Sequence, residues 1–174
     1  MSSTKPAACL GFLTVVEHAD LGLLGGYLLL NPAGRPLEFH CTAPLKANRT
    51  QEILYGPTLR PFLYGEQIGQ TLLTRSKLRP LVVCTDSEPV LAAREFTHVP
   101  LVWVEPEDRG QRTEDRNRFS LARNLVTAAP HYSSDEAAIR ESWPAQADTL
   151  DLLEPFARIR EALDEAQKSA RAAA

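Results

Sequence analysis

Three runs of β-favouring residues crowd between Leu10 and Thr42, separated by stretches that carry Gly22, Gly25 and Gly26 and then Pro32 and Gly34. Such crowding leaves room for little except an antiparallel meander at the start of the fold. Leu10–Val16 is apolar and β-branched, which fits a strand. Gly22, Gly25 and Gly26 read as turn punctuation before a second strand, Tyr27–Leu30. Asn31-Pro32-Ala33-Gly34 reads as a hairpin turn. An Asn side chain can bond its own backbone, Pro presets φ, and Gly accepts a positive φ. Leu37–Thr42 alternates apolar and polar residues and supplies the third strand.

The pattern then changes to helical spacing. Asn48 or Thr50 can cap a helix that Gly56-Pro57 ends after two turns. Thr58–Thr74 forms a second helical piece, with Leu59, Phe62, Leu63, Ile68, Leu72 and Leu73 mostly on one side. Gly65 and Gly69, four apart, mark a close packing point. Leu81–Cys84 and Pro100–Val104 are short, continuous apolar runs of the kind found in strands covered on both faces. Between them, Asp86 or Ser87 can cap a short helix through Phe96. Glu105–Arg118 holds five acids and four arginines and reads as a solvated loop. Phe119–Val126 reads as helical, 129–135 as a loop, and Asp135–Trp143 as a short helix. A last helix begins near Thr149, where Leu152, Phe156, Ile159, Leu163 and Ala166 form a 4-3-4-3 stripe. That stripe can pack on its own domain, or the 150–167 helix can meet a protein partner or a second copy. The elements define a mixed α/β protein, a β-β-β-α-β-α-β core over 1–128 with a C-terminal helical extension over 129–174.

Composition narrows the function classes. The 174 residues carry 22 acidic and 19 basic side chains, a net charge of −3, so no basic coat for nucleic acid is present. Fifteen of the basic residues are arginine, suited to phosphate or carboxylate, but they are interleaved with acids along the chain. No apolar run reaches the roughly 18 residues of a membrane span. The first residues lack the pattern of a secretory leader. Cys9, Cys41 and Cys84 are odd in number and form no CxxC, so they are expected as small buried hydrophobes of a cytoplasmic protein. His18, His40, His98 and His131 show no zinc-ligand spacing. There is no GxSxG elbow, phosphate-binding GxxxxGK[ST] loop or GxGxxG fingerprint.

The element order, together with three short motifs, resembles the ribonuclease H-like superfamily, type 1 ribonucleases H in particular. Gly25-Gly26-Tyr27 opens the second strand. Asn48-Arg49-Thr50-Gln51-Glu52 is similar to that family's helix start, which carries a catalytic glutamate. Thr85-Asp86-Ser87-Glu88-Pro89-Val90 resembles its strand-end signature, whose aspartate is catalytic. The resemblance spans residues 10–125. It implies a Mg²⁺- or Mn²⁺-dependent nuclease acting on RNA or DNA, with Glu52 and Asp86 as metal-binding catalytic carboxylates. Hard cations of this kind prefer carboxylate oxygens, and two of them can activate water and neutralise a transferring phosphoryl group.

The sequence departs from the family at two positions. The first-strand aspartate falls at Val15, the nearest acid being Glu17, with Asp20 further on. The last carboxylate falls at Phe119, with Asp115 displaced. Glu17 and Asp115 are therefore the substitute candidates, Glu17 as a third catalytic acid and Asp115 as a third ligand. The same residues have plainer roles open to them. Asp86 can be a helix cap, Glu52 a capping-box residue and Glu17 a solvated strand-end charge. The incomplete acid set equally fits an inactive binding or scaffolding domain of the same fold acting through protein–protein contacts.

Overall fold

The computed structural model describes residues 7–107 and 117–174. Strand β1 (Leu10–His18) turns through Asp20 into β2 (Gly22–Leu30), paired antiparallel from Leu10↔Leu30 to His18↔Gly22. Asn31 Oδ1 then accepts from the Ala33 and Arg35 amides at 3.0 and 2.9 Å, and Gly34 takes φ +83°. This is the turn that the Asn-Pro-Ala-Gly stretch predicts, and it delivers β3 (Pro36–Cys41) antiparallel to β2.

Gly25 and Gly26 lie inside β2 and not in a turn, because helices approach the strand closely from both sides. A Cβ on Gly25 would stand 2.2 Å from Ile68 Cγ2, and one on Gly26 would stand 2.3 Å from Ile159 Cγ2. No side chain fits there.

The crossover begins with α1 (Arg49–Tyr55). Asn48 caps it by accepting from the Gln51 amide at 2.8 Å, and Gln51 Oε1 accepts from the Asn48 amide at 3.1 Å. Gln51 therefore closes the capping box, which removes that role from Glu52. Gly56-Pro57 ends α1 as expected, in a 3₁₀ turn. A continuous helical rod follows: α2 (Leu59–Pro61), a π-helical stretch (Phe62–Gly69) and α3 (Gln70–Arg75). Gly65 and Gly69 let the rod sit directly on the 3₁₀ helix Glu88–Phe96, where an added Cβ would come within 2.7 Å of Ala92 and 3.0 Å of Ala93.

Strand β4 (Val83–Thr85) pairs parallel with β1, and β5 (Leu101–Val104) pairs parallel with β4. An antiparallel meander whose first strand lies parallel beside the fourth is the ribonuclease H-like arrangement. The chain extends it to seven strands in the order β3-β2-β1-β4-β5-β7-β6.

The last two strands correct the sequence reading. Phe119–Val126 is not a helix but the hairpin of β6 (Arg118–Leu121) and β7 (Asn124–Ala128), with β7 antiparallel to β5. Phe119 and Leu121 are buried while Ser120 is exposed, a period of two. The open edge of β5 offers backbone partners that a short helix would leave unused. Ala122, at φ +50°, turns the two-residue loop.

Successive β1 residues point to opposite faces. Leu10 and Phe12 face α5 (Glu154–Ala172) and share a core with Phe156, Ile159 and Leu163. Leu13 and Val15 face the rod and share a second core with Leu63, Ile68 and Leu72. Phe12 and Phe156 meet edge to face at 5.8 Å. Each such buried side chain contributes about 1.5–3 kcal/mol. Leu152, Phe156, Ile159 and Leu163 of the stripe thus pack on the chain's own sheet, while Ala166 at its far end is exposed. α5 starts at Glu154 and not near Thr149, because Pro155 belongs in a first helical turn. It runs to Ala172. α4 (Asp135–Ser142) forms where the sequence predicts.

The cysteines are all free, but only two behave as buried hydrophobes. Burial pushes the Cys84 thiol up to about 12 and raises that of Cys9, while Cys41 is exposed.

Gly26→Ala is expected to destabilise the fold by about 1–3 kcal/mol, the cost of overpacking a filled core. Denaturant midpoints of the two proteins measure it, and an unchanged midpoint contradicts the close approach of Ile159.

Candidate functional site

The strand ends nearest β1 and β4 carry most of the residues that matter. Thr85 pairs with Leu13, so the next residue, Asp86, arrives opposite Thr14. Thr14 is fully buried and donates its hydroxyl to Asp86 Oδ1 at 2.6 Å. Ser87 Oγ lies 3.4 Å from the same oxygen. The other oxygen, Oδ2, accepts from the Arg160 guanidinium on α5. Only 15% of the Asp86 side chain is exposed, so the carboxylate is held between a strand hydroxyl and a helix cation. It does not cap the following helix: Ser87 occupies that position and makes no side-chain cap bond. The Ser87 amide instead donates to Thr85 Oγ1 at 3.1 Å.

Glu17 lies three residues beyond Thr14 on β1 and so on the opposite face of the sheet. Its Oε1 accepts from the Tyr64 hydroxyl at 2.6 Å, and the Arg60 guanidinium stands 3.7 Å away. Arg60 also donates to the Tyr64 oxygen at 3.2 Å. Burial, then the bond to Glu17, raises the Tyr64 phenol, which keeps it a donor at neutral pH.

Glu52 projects from α1 and pairs with Arg49 at 3.2 Å, both side chains being well exposed. Glu17 and Glu52 line one groove of about 360 Å³, together with Lys46, Arg60, Leu45 and Leu59. Asp86 does not line it. Asp115 lies outside the described residues. The structure therefore brings Glu17 and Glu52 to one groove and keeps Asp86 on the other face.

Among the described residues, Glu17 and Glu52 do not converge with Asp86 on one point, as the carboxylates of a two-metal centre do. Among the described residues, no group of three or more His, Cys, Asp or Glu side chains stands ready to hold a metal ion. Asp86 already has Arg160 where a cation would bind, and Glu17 and Glu52 each have an arginine neighbour.

Three participants escape the sequence reading: Thr14, Tyr64 and Arg160. Arg160 follows Ile159 on the striped helix, so it sits at the border of the buried face. That position gives a hint of an anchored cation. Nothing in the spacing reveals that its partner is 74 residues away.

No protein-family model matches the chain, and no curated protein matches its sequence. Among solved structures it is similar to human endonuclease V, at 12% identity over 94% of this chain and 89% of that one, with a TM-score of 0.47. It is also similar to Ciona intestinalis endonuclease V in complex with a 24mer DNA containing an inosine followed by a ribo-adenosine. There the identity is 13% over 91% of this chain and 87% of that one, with a TM-score of 0.48. Marinitoga piezophila Argonaute in complex with a 5′-OH guide RNA shares 11% identity over 79% of this chain and 25% of its own, with a TM-score of 0.35. The assignment of a ribonuclease H-like fold rests on the strand order and pairing themselves.

Thr14→Val keeps the shape of the side chain and removes its bond to the Asp86 carboxylate. Chemical denaturation is expected to show a loss of about 1.5–3 kcal/mol, the range for hydrogen bonds to charged groups. A variant as stable as the wild type contradicts the assignment of Thr14 as the holder of Asp86.

Proposed function

We propose that this chain is a ribonuclease H-like module that works without metal-dependent hydrolysis, as a binding or scaffolding domain acting through protein–protein contacts. The observation that carries this reading is the engagement of Asp86 by Arg160 and Thr14. A carboxylate paired with an internal guanidinium is a poor Mg²⁺ ligand, because binding the ion first requires stripping off a bound cation. A surface for contacts is also present. α1 buries none of its residues and holds Ile53 and Leu54 in solvent at 64% and 77% exposure. Three free thiols suit a reducing compartment, in keeping with a cytoplasmic location. Among the described residues, no helix is long and apolar enough to cross a membrane.

A second reading has one observation in its favour. Glu17 and Glu52 share a groove with Lys46 and Arg60, a mixture of acids and cations that could meet a nucleic-acid backbone. On that reading the protein hydrolyses RNA or DNA phosphodiesters with Mg²⁺ or Mn²⁺, using Glu52 and Asp86 with help from Glu17 or Asp115. It requires Arg160 to leave Asp86.

Calorimetric titration with Mg²⁺ and Mn²⁺, beside a cleavage assay on RNA and DNA oligonucleotides, separates the two. The first reading expects no saturable heat at millimolar metal in the wild type or in Asp86→Asn, and no cleavage. Metal binding and cleavage that both vanish in Asp86→Asn overturn it in favour of the nuclease.

A further inference from the structure

One cavity among the described residues is lined by none of Glu17, Glu52 and Asp86. It lies between the 3₁₀ helix Glu88–Phe96 and the 129–132 turn and encloses about 370 Å³. That volume falls in the range of small-molecule sites, about 300–1,000 Å³. Pro61, Pro89, Leu91, Ala92, Pro130 and Tyr132 supply an apolar wall. Three of these are prolines, which lose little conformational freedom when a ligand binds.

The Tyr132 ring is fixed from behind. The Arg94 guanidinium carbon stands 4.0 Å from its centroid. Arg94 in turn donates to Asp135 through Nε and Nη2 at 2.9 and 3.0 Å, and to the Thr97 carbonyl through Nη1 at 2.6 Å. The Arg94 and Asp135 side chains are only 13% and 5% exposed. A fork held this way cannot drift, so it presents the ring in one orientation. The turn itself is strained: His131, a non-glycine residue, holds φ +69°, and the Tyr132 amide closes it onto the Ala129 carbonyl at 3.3 Å. Strain of this kind collects at ligand sites.

The charge around the cavity has one sign. Glu88 and Glu95, seven residues apart on the same helix, line it, and both are exposed. Among the described residues neither has an ion-pair partner, and the nearby cation, Arg94, is committed to Asp135. An apolar cavity with two unpaired carboxylates at its edge favours an apolar body bearing a positive charge and disfavours anions.

We propose that this cavity is a binding site for a small amphipathic amine, its aromatic or branched aliphatic body against Tyr132 and Leu91 and its ammonium group towards Glu88 and Glu95. The site is independent of whether the protein cleaves nucleic acid.

The test uses the full chain and three indole probes: tryptamine, neutral indole and indole-3-acetate. Binding is followed by two-dimensional NMR and calorimetry. The expected result is saturable tryptamine binding at micromolar to millimolar concentration, with shifts confined to residues 88–95 and 129–132. Tryptamine binds more tightly than indole, and indole-3-acetate most weakly. Added salt weakens tryptamine binding, and the double variant Glu88→Gln, Glu95→Gln reduces its affinity by about fivefold or more while indole binding is unchanged. Both substitutions are at exposed positions, and a superimposable amide spectrum verifies the fold. Equal or tighter binding of indole-3-acetate, shifts centred elsewhere, no saturable binding at millimolar tryptamine, or an unaltered affinity in the double variant would each overturn the proposal.

Discussion

β1 is the strand on which the remaining structure depends. It pairs antiparallel with β2 and parallel with β4, and it is covered by α5 on one face and by the helical rod on the other. Its even residues, from Leu10 to Phe12, anchor one core and its odd residues, Leu13 and Val15, the other. Thr14 continues the even series but meets Asp86, not a hydrophobe. The buried hydroxyl thus joins strand order to helix position: β4 must lie beside β1 to bring Asp86 there, and α5 must lie across the same face to bring Arg160 to the second oxygen. The pair closes the sheet end against α5, just beyond the packing of Ile159 over Gly26.

Fold and chemistry separate at this point. The strand arrangement is ribonuclease H-like, yet an arrangement of strands carries no activity by itself. Activity in such a scaffold requires free carboxylates converging from several elements. Here Asp86 is neutralised from within, and Glu17 and Glu52 stand on the far face of the sheet beside Arg60 and Arg49. Asp86 ties β4 to α5 and Glu17 ties β1 to the helical rod, while Glu52 pairs only within α1, and the proposed binding-module reading rests on the first of these contacts.

Much of the architecture is legible in the sequence, for physical reasons that can be named. Asn31 to Gly34 carry turn chemistry in their own side chains, so the β2–β3 hairpin needs no distant information. Gly56-Pro57 breaks a helix wherever it occurs, and the short apolar runs at Leu81 and Pro100 announce strands covered on both faces. The errors arise where a distant partner decides. Phe119–Val126 has ambiguous local preference, and the free edge of β5 selects the strand. Gly25 and Gly26 look like a turn until Ile68 and Ile159 are placed over them. The site suffers more than the fold. Glu52 sits one residue past Gln51, the true capping-box residue, and Asp86 looks like either a cap or a ligand until Arg160 is found opposite. Ion pairs between residues 74 positions apart leave no periodic trace.

The central claim is that Asp86 serves as the internal counter-ion of Arg160, tying α5 to the end of β4. A double-mutant cycle on unfolding free energy, with Asp86→Asn, Arg160→Gln and the combined variant, measures that coupling directly. The account predicts a favourable coupling of about 1 kcal/mol or more, within the range for residues in direct contact. A coupling indistinguishable from zero, with the two single effects simply adding, would contradict it.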